Sequence, residues 1–233
     1  SMKQAKLLKT MKLSEEDVRA IRTAVSAGEK GTRGEIAVAL TGESADYSFN
    51  ELFASVLVGA AIFSALIPAQ SAIHGMLTTL FWHVPVWGAA AFTGAATFTA
   101  IGLFFLLANT PGIDRLIIPR QTRSRMVYTR ALRHFVESGV YATRERTGIL
   151  IFISAMEHEV RILADKGISD KIDQSVWNAL AEKLAAGVRN GTTAAALIET
   201  ITGCGAILTE HFPAGQINEN ELVDGLVLLE SGS

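Results

Sequence analysis

One cysteine in 233 residues, Cys204, excludes an intrachain disulfide and fits a reducing compartment. Charge is the second scarcity. Residues 52–108 contain no Lys, Arg, Asp or Glu, although 19% of the chain is charged. Charged and apolar residues are therefore segregated along the chain. A net charge of −2, with no interleaving of basic and aromatic residues, argues against nucleic acid as a partner. Residues 1–14 carry Lys3, Lys6, Lys9 and Lys12 around no apolar core, so no secretory signal is expected there. Walker A, H-E-x-x-H, G-x-S-x-G and C-x-x-C motifs are all missing. Their absence lowers the expectation of an enzyme without removing it. No internal repeat or low-complexity tract is present.

The uncharged region holds two apolar runs, at about 52–70 and 86–108. A bilayer core of ~30 Å needs ~20 apolar residues as helix, and both runs meet that length. The expectation is a two-helix transmembrane hairpin; two buried helices of a soluble core are the alternative. Pro68 falls in the last turn of the first run, and the Asn-Thr-Pro-Gly sequence at 109–112 stops the second. Small residues recur at four-residue steps, Ala61, Ala65 and Ala69, then Ala91, Ala95 and Thr99. Such stripes let helix backbones approach. Packing of the two spans together is favoured over a homo-oligomer seam. The 70–85 loop has no Lys or Arg, whereas Arg115, Arg120, Arg123, Arg125, Arg130 and Arg133 follow the second run. By the positive-inside rule both termini are cytoplasmic and the loop lies outside. Trp82 and Trp87 mark the outer end, Tyr47 and Phe49 the inner. The arginine run suits anionic lipid and equally suits topology and solvation alone.

Elsewhere the chain reads as a soluble domain. Ser14 with Glu15, Glu16 and Asp17 starts a helix to about Ala27. Residues 35–40 (EIAVAL) form a short strand. Residues 123–138 read as a helix, and 148–154 (GILIFIS) as a strand buried on both faces. Residues 160–164 form a third strand, hairpinned to the second, followed by a turn at 165–167. Ser169 or Asp170 caps a helix to about Arg189, with Ile172, Val176, Leu180 and Leu184 inward. Thr192 or Thr193 starts a last helix to about His211. The 218–229 tail is acidic, then apolar. The order implies one α/β domain, in parts 14–46 and 113–229, interrupted by a hairpin region at 47–112.

The motif order resembles the TPM domain, a family of thylakoid-lumen phosphatase-like proteins and bacterial membrane-associated relatives. The matching stretches are T-x-G-E-I-x-V at 32–38, an apolar strand after Thr147 and Gly148, and R-I-L-A-D-K-G-I at 161–168. A helix with Trp177, R-x-G at 189–191, H-F-P at 211–213 and N-E-L-x-D at 220–224 follow. The resemblance implies an α/β sandwich, a small mixed sheet between helices. With the two apolar runs, the expected setting is a bacterial inner membrane, multi-pass. Some relatives bind calcium and hydrolyse phosphate esters; others serve membrane complexes as assembly factors. Many relatives have D-N-G before the buried strand. Here that place reads Arg144–Glu145–Arg146–Thr147–Gly148, and two arginines repel a divalent cation.

The acidic candidates for calcium or another divalent cation are Glu35, Asp165 and Asp170, with Asp173 nearby in sequence. They lie at strand ends and a helix start, and hard cations want several oxygens. Helix capping and turn roles are the competing account for the aspartates. Arg144 and Arg146, with Arg161, are the anion-binding candidates because guanidinium forks fit phosphate. Solvation, or pairing with Glu145 and Glu157, is the alternative. Cys204, between two glycines on a helix, reads as a small buried residue rather than a nucleophile. The functional expectation is a membrane-anchored, non-catalytic scaffold or regulator whose partners are the bilayer and other membrane proteins. The alternative is a divalent-metal phosphomonoesterase using Glu35 and Asp165.

Overall fold

A computed structural model describes residues 2–108, 118–214, 222 and 225–230. The 109–112 stop, Arg115 and all of the 218–224 stretch except Leu222 lie outside the described residues. The chain forms two compact units, residues 1–46 with 121–233, and residues 47–120.

The first unit opens with a helix that the sequence reading did not anticipate, α1 (Met2–Thr10). Leu7 on it, with Met11 and Leu13 just beyond, is buried in the main core. Helix α2 (Glu15–Glu29) begins where its capping signal places it. The Ser14 hydroxyl accepts from the Asp17 backbone N–H at 3.1 Å, and Asp17 accepts in return from the Ser14 N–H at 2.8 Å. Those two bonds satisfy otherwise orphaned donors, and contact with Ser14 holds the Asp17 carboxyl below the usual range. Ser14→Ala should lower unfolding stability by about 1 kcal/mol in urea titration, with an unchanged m-value.

The sheet contains β1 (Glu35–Thr41), β2 (Gly148–Ser154), β3 (Glu159–Ala164) and β4 (Leu226–Leu229), in the order β3-β2-β1-β4. Strand β1 is parallel to both β2 and β4, while β2 and β3 are antiparallel. The tail's apolar half is thus an edge strand. Parallel strands need a crossover. Here it carries the second unit and then helix α6 (Arg120–Glu137). After β3 come the short α7 (Lys166–Ser169), α8 (Gln174–Asn190) and α9 (Thr193–His211).

The pleat sends alternate residues to opposite faces. Ile36, Val38, Leu40, Ile149, Ile151 and Ile153 face the larger core, with Ile21, Val25, Trp177, Leu184, Leu197 and Ile201. Ala39, Leu150 and Phe152 face Val127, Ala131 and Phe135 of α6. Every residue of β2 is buried, as a continuous apolar run between two helical layers requires. The fold is therefore mixed α/β, a small sheet sandwiched between helices. Helices α2 and α9 pack at backbone distance: a Cβ on Gly205 would lie 2.8 Å from Gly28 Cα and carbonyl O.

One helix starts later than its cap signals suggest. Asp173, not Ser169 or Asp170, is the N-cap of α8. Its buried face is Trp177, Ala181, Leu184 and Gly187, while Val176 is 38% exposed. The short α7 occupies the first cap signal, so the longer helix begins one turn further on.

The second unit contains α3 (Ser48–Leu66), α4 (Gln70–Leu80) and α5 (Gly88–Ala108). Helices α3 and α5 are long and apolar enough to cross a membrane. Neither is a buried core helix: Phe53 is 58%, Phe98 77% and Leu106 69% exposed. They pack against each other through faces that the small-residue stripes did not mark. Ser55 and Gly59 are buried on α3, and a Cβ on Gly59 would fall 2.4 Å from Ile101 Cγ1. Ala61, Ala65, Ala91, Ala95 and Thr99 are exposed, which overturns their expected role in joining the spans. Four-residue spacing marks a face but does not say which partner it meets. The expected 70–85 loop is largely helix α4, held by Ile73 and Leu77 packing with Ala89. Tyr47 is buried rather than an exposed interfacial aromatic; Phe49, Trp82 and Trp87 are exposed.

Candidate functional site

Strand register decides where the acidic candidates stand. Glu35 pairs with Gly148 across β1 and β2, and the Asp165 N–H donates to the Gly148 carbonyl at 2.9 Å. Glu35 and Asp165 thus share one end of the sheet but flank β2 from opposite sides. Strands lie ~4.8 Å apart, so their backbones are separated by roughly 10 Å. Both side chains are buried. Glu35 Oε2 accepts from the Leu222 N–H at 3.4 Å. Asp165 Oδ1 accepts from the Lys166 N–H at 2.6 Å and caps α7. Its Oδ2 is buried without a hydrogen-bond partner among the described residues.

The other carboxylates stand apart from this pair. Asp170 is exposed at the C-cap of α7. Asp173 caps α8, and its bonds to the Ser175 hydroxyl and N–H hold its carboxyl below the usual range. Among the described residues, no group of three or more His, Cys, Asp or Glu is placed to hold a metal ion.

The loop ahead of β2 is fixed by its backbone. The Thr143 hydroxyl accepts from the Thr147 N–H at 3.1 Å, and the Thr147 hydroxyl donates to the Arg33 carbonyl at 3.0 Å. A Cβ on Gly148 would stand 2.2 Å from the Val140 carbonyl O, so this entry to β2 accepts only glycine without rearrangement. Arg144 and Arg146 are exposed, and Arg146 has φ +54°. Glu145 pairs with Arg33 at 2.7 Å. Arg161 does not join the two arginines. It lies opposite Phe152 in mid-sheet, bonded to Ser124 and Glu159 at 2.5 Å each. The expected three-arginine cluster is thereby reduced to Arg144 and Arg146. Glu157, the other expected partner, stands at the far end of β2 from Arg144 and Arg146.

Glu157 belongs to a buried network at the opposite end of the sheet. The Ser154 hydroxyl donates to Glu157, the Ser44 N–H donates to Glu157 at 2.9 Å, and the Ser44 hydroxyl donates to Ser154 Oγ at 2.8 Å. The Ala155 and Met156 N–H groups donate to the Thr41 and Gly42 carbonyls. Together these bonds lock the segment leaving β1 over the end of β2. The sequence reading passed over Ser44. The only local signal was a Ser and a Glu three apart after an apolar strand, and their partner lies 110 residues earlier. Cys204 is buried, and burial pushes its thiol up to about 12, far from a reactive thiolate. A groove of about 400 Å³ between α8 and α9 is lined by Leu180, Lys183, Glu199 and Gly203, away from the acidic pair.

The first unit is a mixed sheet between two helical layers, with Glu35 and Asp165 at one end of it. Residues 114–207 match the family model of the TPM domain. The match runs from before α6 into α9. The whole fold is similar to the NMR structure of the BA42 protein from the psychrophilic bacterium Bizionia argentinensis. The TM-score is 0.54 at 18% identity, covering 93% of this chain and 95% of that one. No curated protein matches the chain.

Proposed function

We propose that this protein is a membrane-anchored TPM-domain protein acting as a non-catalytic scaffold or regulator of membrane protein complexes. The observation carrying this reading is the employment of the acidic side chains. Asp165 and Asp173 cap helices, Asp170 faces solvent, and β2 separates Glu35 from Asp165. Large apolar side chains exposed along α3 and α5 support anchoring, since soluble surfaces rarely carry such extended apolar area. In this reading α3 and α5 span a bacterial inner membrane, α4 lies outside, and both termini are cytoplasmic. The protein should stay in the membrane fraction through an alkaline carbonate wash. Crosslinking in native membranes should recover the same membrane proteins reproducibly, and substitutions on the exposed domain surface should reduce that recovery. Release by carbonate, or an inert isolated protein under several mild conditions, would count against it.

One observation favours a second reading. Asp165 Oδ2 is buried without a hydrogen-bond partner among the described residues, at the same end of the sheet as Glu35, and an orphaned carboxylate oxygen is a candidate ligand for a divalent cation. If the protein is a divalent-metal phosphomonoesterase, turnover of p-nitrophenyl phosphate with calcium, magnesium or manganese should be lost in Asp165→Asn. No turnover, or turnover insensitive to that change, sinks the second reading.

A further inference from the structure

Helix α6 has two working faces. Val127, Ala131 and Phe135 are buried against the sheet. A second apolar row remains outside: Tyr128 is 46%, Leu132 43% and Val136 50% exposed. At 100° per residue, Arg125, Tyr128, Leu132 and Val136 fall within an arc of about 80°, centred about 100° around the helix from the buried row. Exposed Arg133 and Met126 lie about 100° and 120° around from the centre of this row, on the side away from the buried one. The helix carries five arginines against one glutamate. Arg133 pairs with exposed Glu137 at 2.6 Å, which offsets its charge and leaves Arg125 as the exposed cation of the row. In sequence, α6 begins twelve positions after the last residue of α5.

We infer that this outer face of α6 is a docking surface for an anionic lipid bilayer. Tyr128, Leu132 and Val136 enter the boundary between headgroups and acyl chains, and Arg125 meets the lipid phosphates. Three observations point to lipid. The row is aliphatic with a tyrosine, a residue enriched at membrane interfaces. Arg125 lies within the row and Arg133 beside it, cations complementary to phosphatidylglycerol-type headgroups. An amphipathic helix with arginine beside its apolar row can lie in the interface plane while its other face stays packed on a soluble domain. The inference rests on the membrane-anchored reading and adds a second contact to it. The domain is held against the bilayer as well as tethered to it.

The test uses the full chain carrying Leu132→Cys, labelled with an environment-sensitive fluorophore. Cys204 stays in place, because its buried thiol does not react. The protein is reconstituted in phosphatidylcholine vesicles with or without phosphatidylglycerol, each containing a lipid-borne quencher. Asn178→Cys, on exposed α8 surface beyond the other face of the sheet, is the comparison position. The Leu132 label should be blue-shifted and quenched in the anionic vesicles. The Asn178 label should remain in water. Adding Arg125→Glu should lower the docked-to-undocked ratio about fivefold, and raised salt should act the same way. Equal quenching at both positions, or none at Leu132, overturns the inference. So does protection of Leu132 that requires an added protein fraction, which would make the face a protein interface. Carbonate washing of the same vesicles separates the two readings. Protein that resists the wash while Leu132 stays unquenched refutes docking alone; protein that is released refutes anchoring, and quenching still judges docking.

Discussion

Replacing residues 47–120 with a flexible Gly-Ser linker should give a folded domain that stays monodisperse without detergent. The exchange removes α3, α4 and α5, which carry most of the exposed large apolar side chains. It leaves both cores of the first unit intact, since every buried residue of each lies within 1–46 or 121–233. The removed segment sits in the connection from β1 to α6, where a parallel β-helix-β crossover already needs a loop. Such exposed connections accept insertions and deletions, because each doubling of loop length costs only ~0.6 kcal/mol of closure entropy. The buried Ser44, Ser154 and Glu157 network fixes the chain immediately before the exchange, so β1 keeps its register. Far-UV circular dichroism, a single cooperative melt and size-exclusion without detergent are the readouts. An aggregated or unfolded product would mean that the hairpin region belongs to the domain core.

Trp177→Ala should be the most damaging single truncation in the larger core, at about 3–5 kcal/mol in denaturant titration. Trp177 has no exposed surface and is the largest fully buried side chain. It sits on α8 among residues that also touch the sheet and α9. Its indole N–H has no partner among the described residues, so Trp177→Phe should recover most of the loss: it restores volume without an orphaned donor. The neighbouring Val176→Ala should stay within about 0.5 kcal/mol, as exposed positions do. A larger loss at 176 than at 177 would show that the helix is phased with Val176 inward, as the sequence pattern suggests.

That phase error shows where sequence reasoning stopped. Asp170 and Asp173 are both sound cap residues, and local chemistry cannot choose between them. The choice is made by the four-residue α7, which uses Asp165 as its own cap and displaces the start of α8. The same limit hid β4. Its Leu-Val-Leu-Leu run is too short to declare itself and becomes a strand only because β1 offers an open edge. In the second unit, small residues at four-residue steps identified a helical face, yet Gly59 and Ile101 make the contact.

Much else was legible directly. A charge-free stretch from 52 to 108 fixes two long apolar helices, because length and composition alone set that property. Ser14 with Asp17 fixes the start of α2, and GILIFIS fixes a strand buried on both faces, since each depends on residues within one turn or one strand. Which acidic groups meet was decided by the tertiary structure. Register set Glu35 and Asp165 on either side of Gly148, put Arg161 with Ser124 far from Arg144 and Arg146, and closed Glu157 onto Ser44. Local patterns encode periodicity and caps. Register and burial depend on segments more than a hundred residues apart, and only packing brings those together.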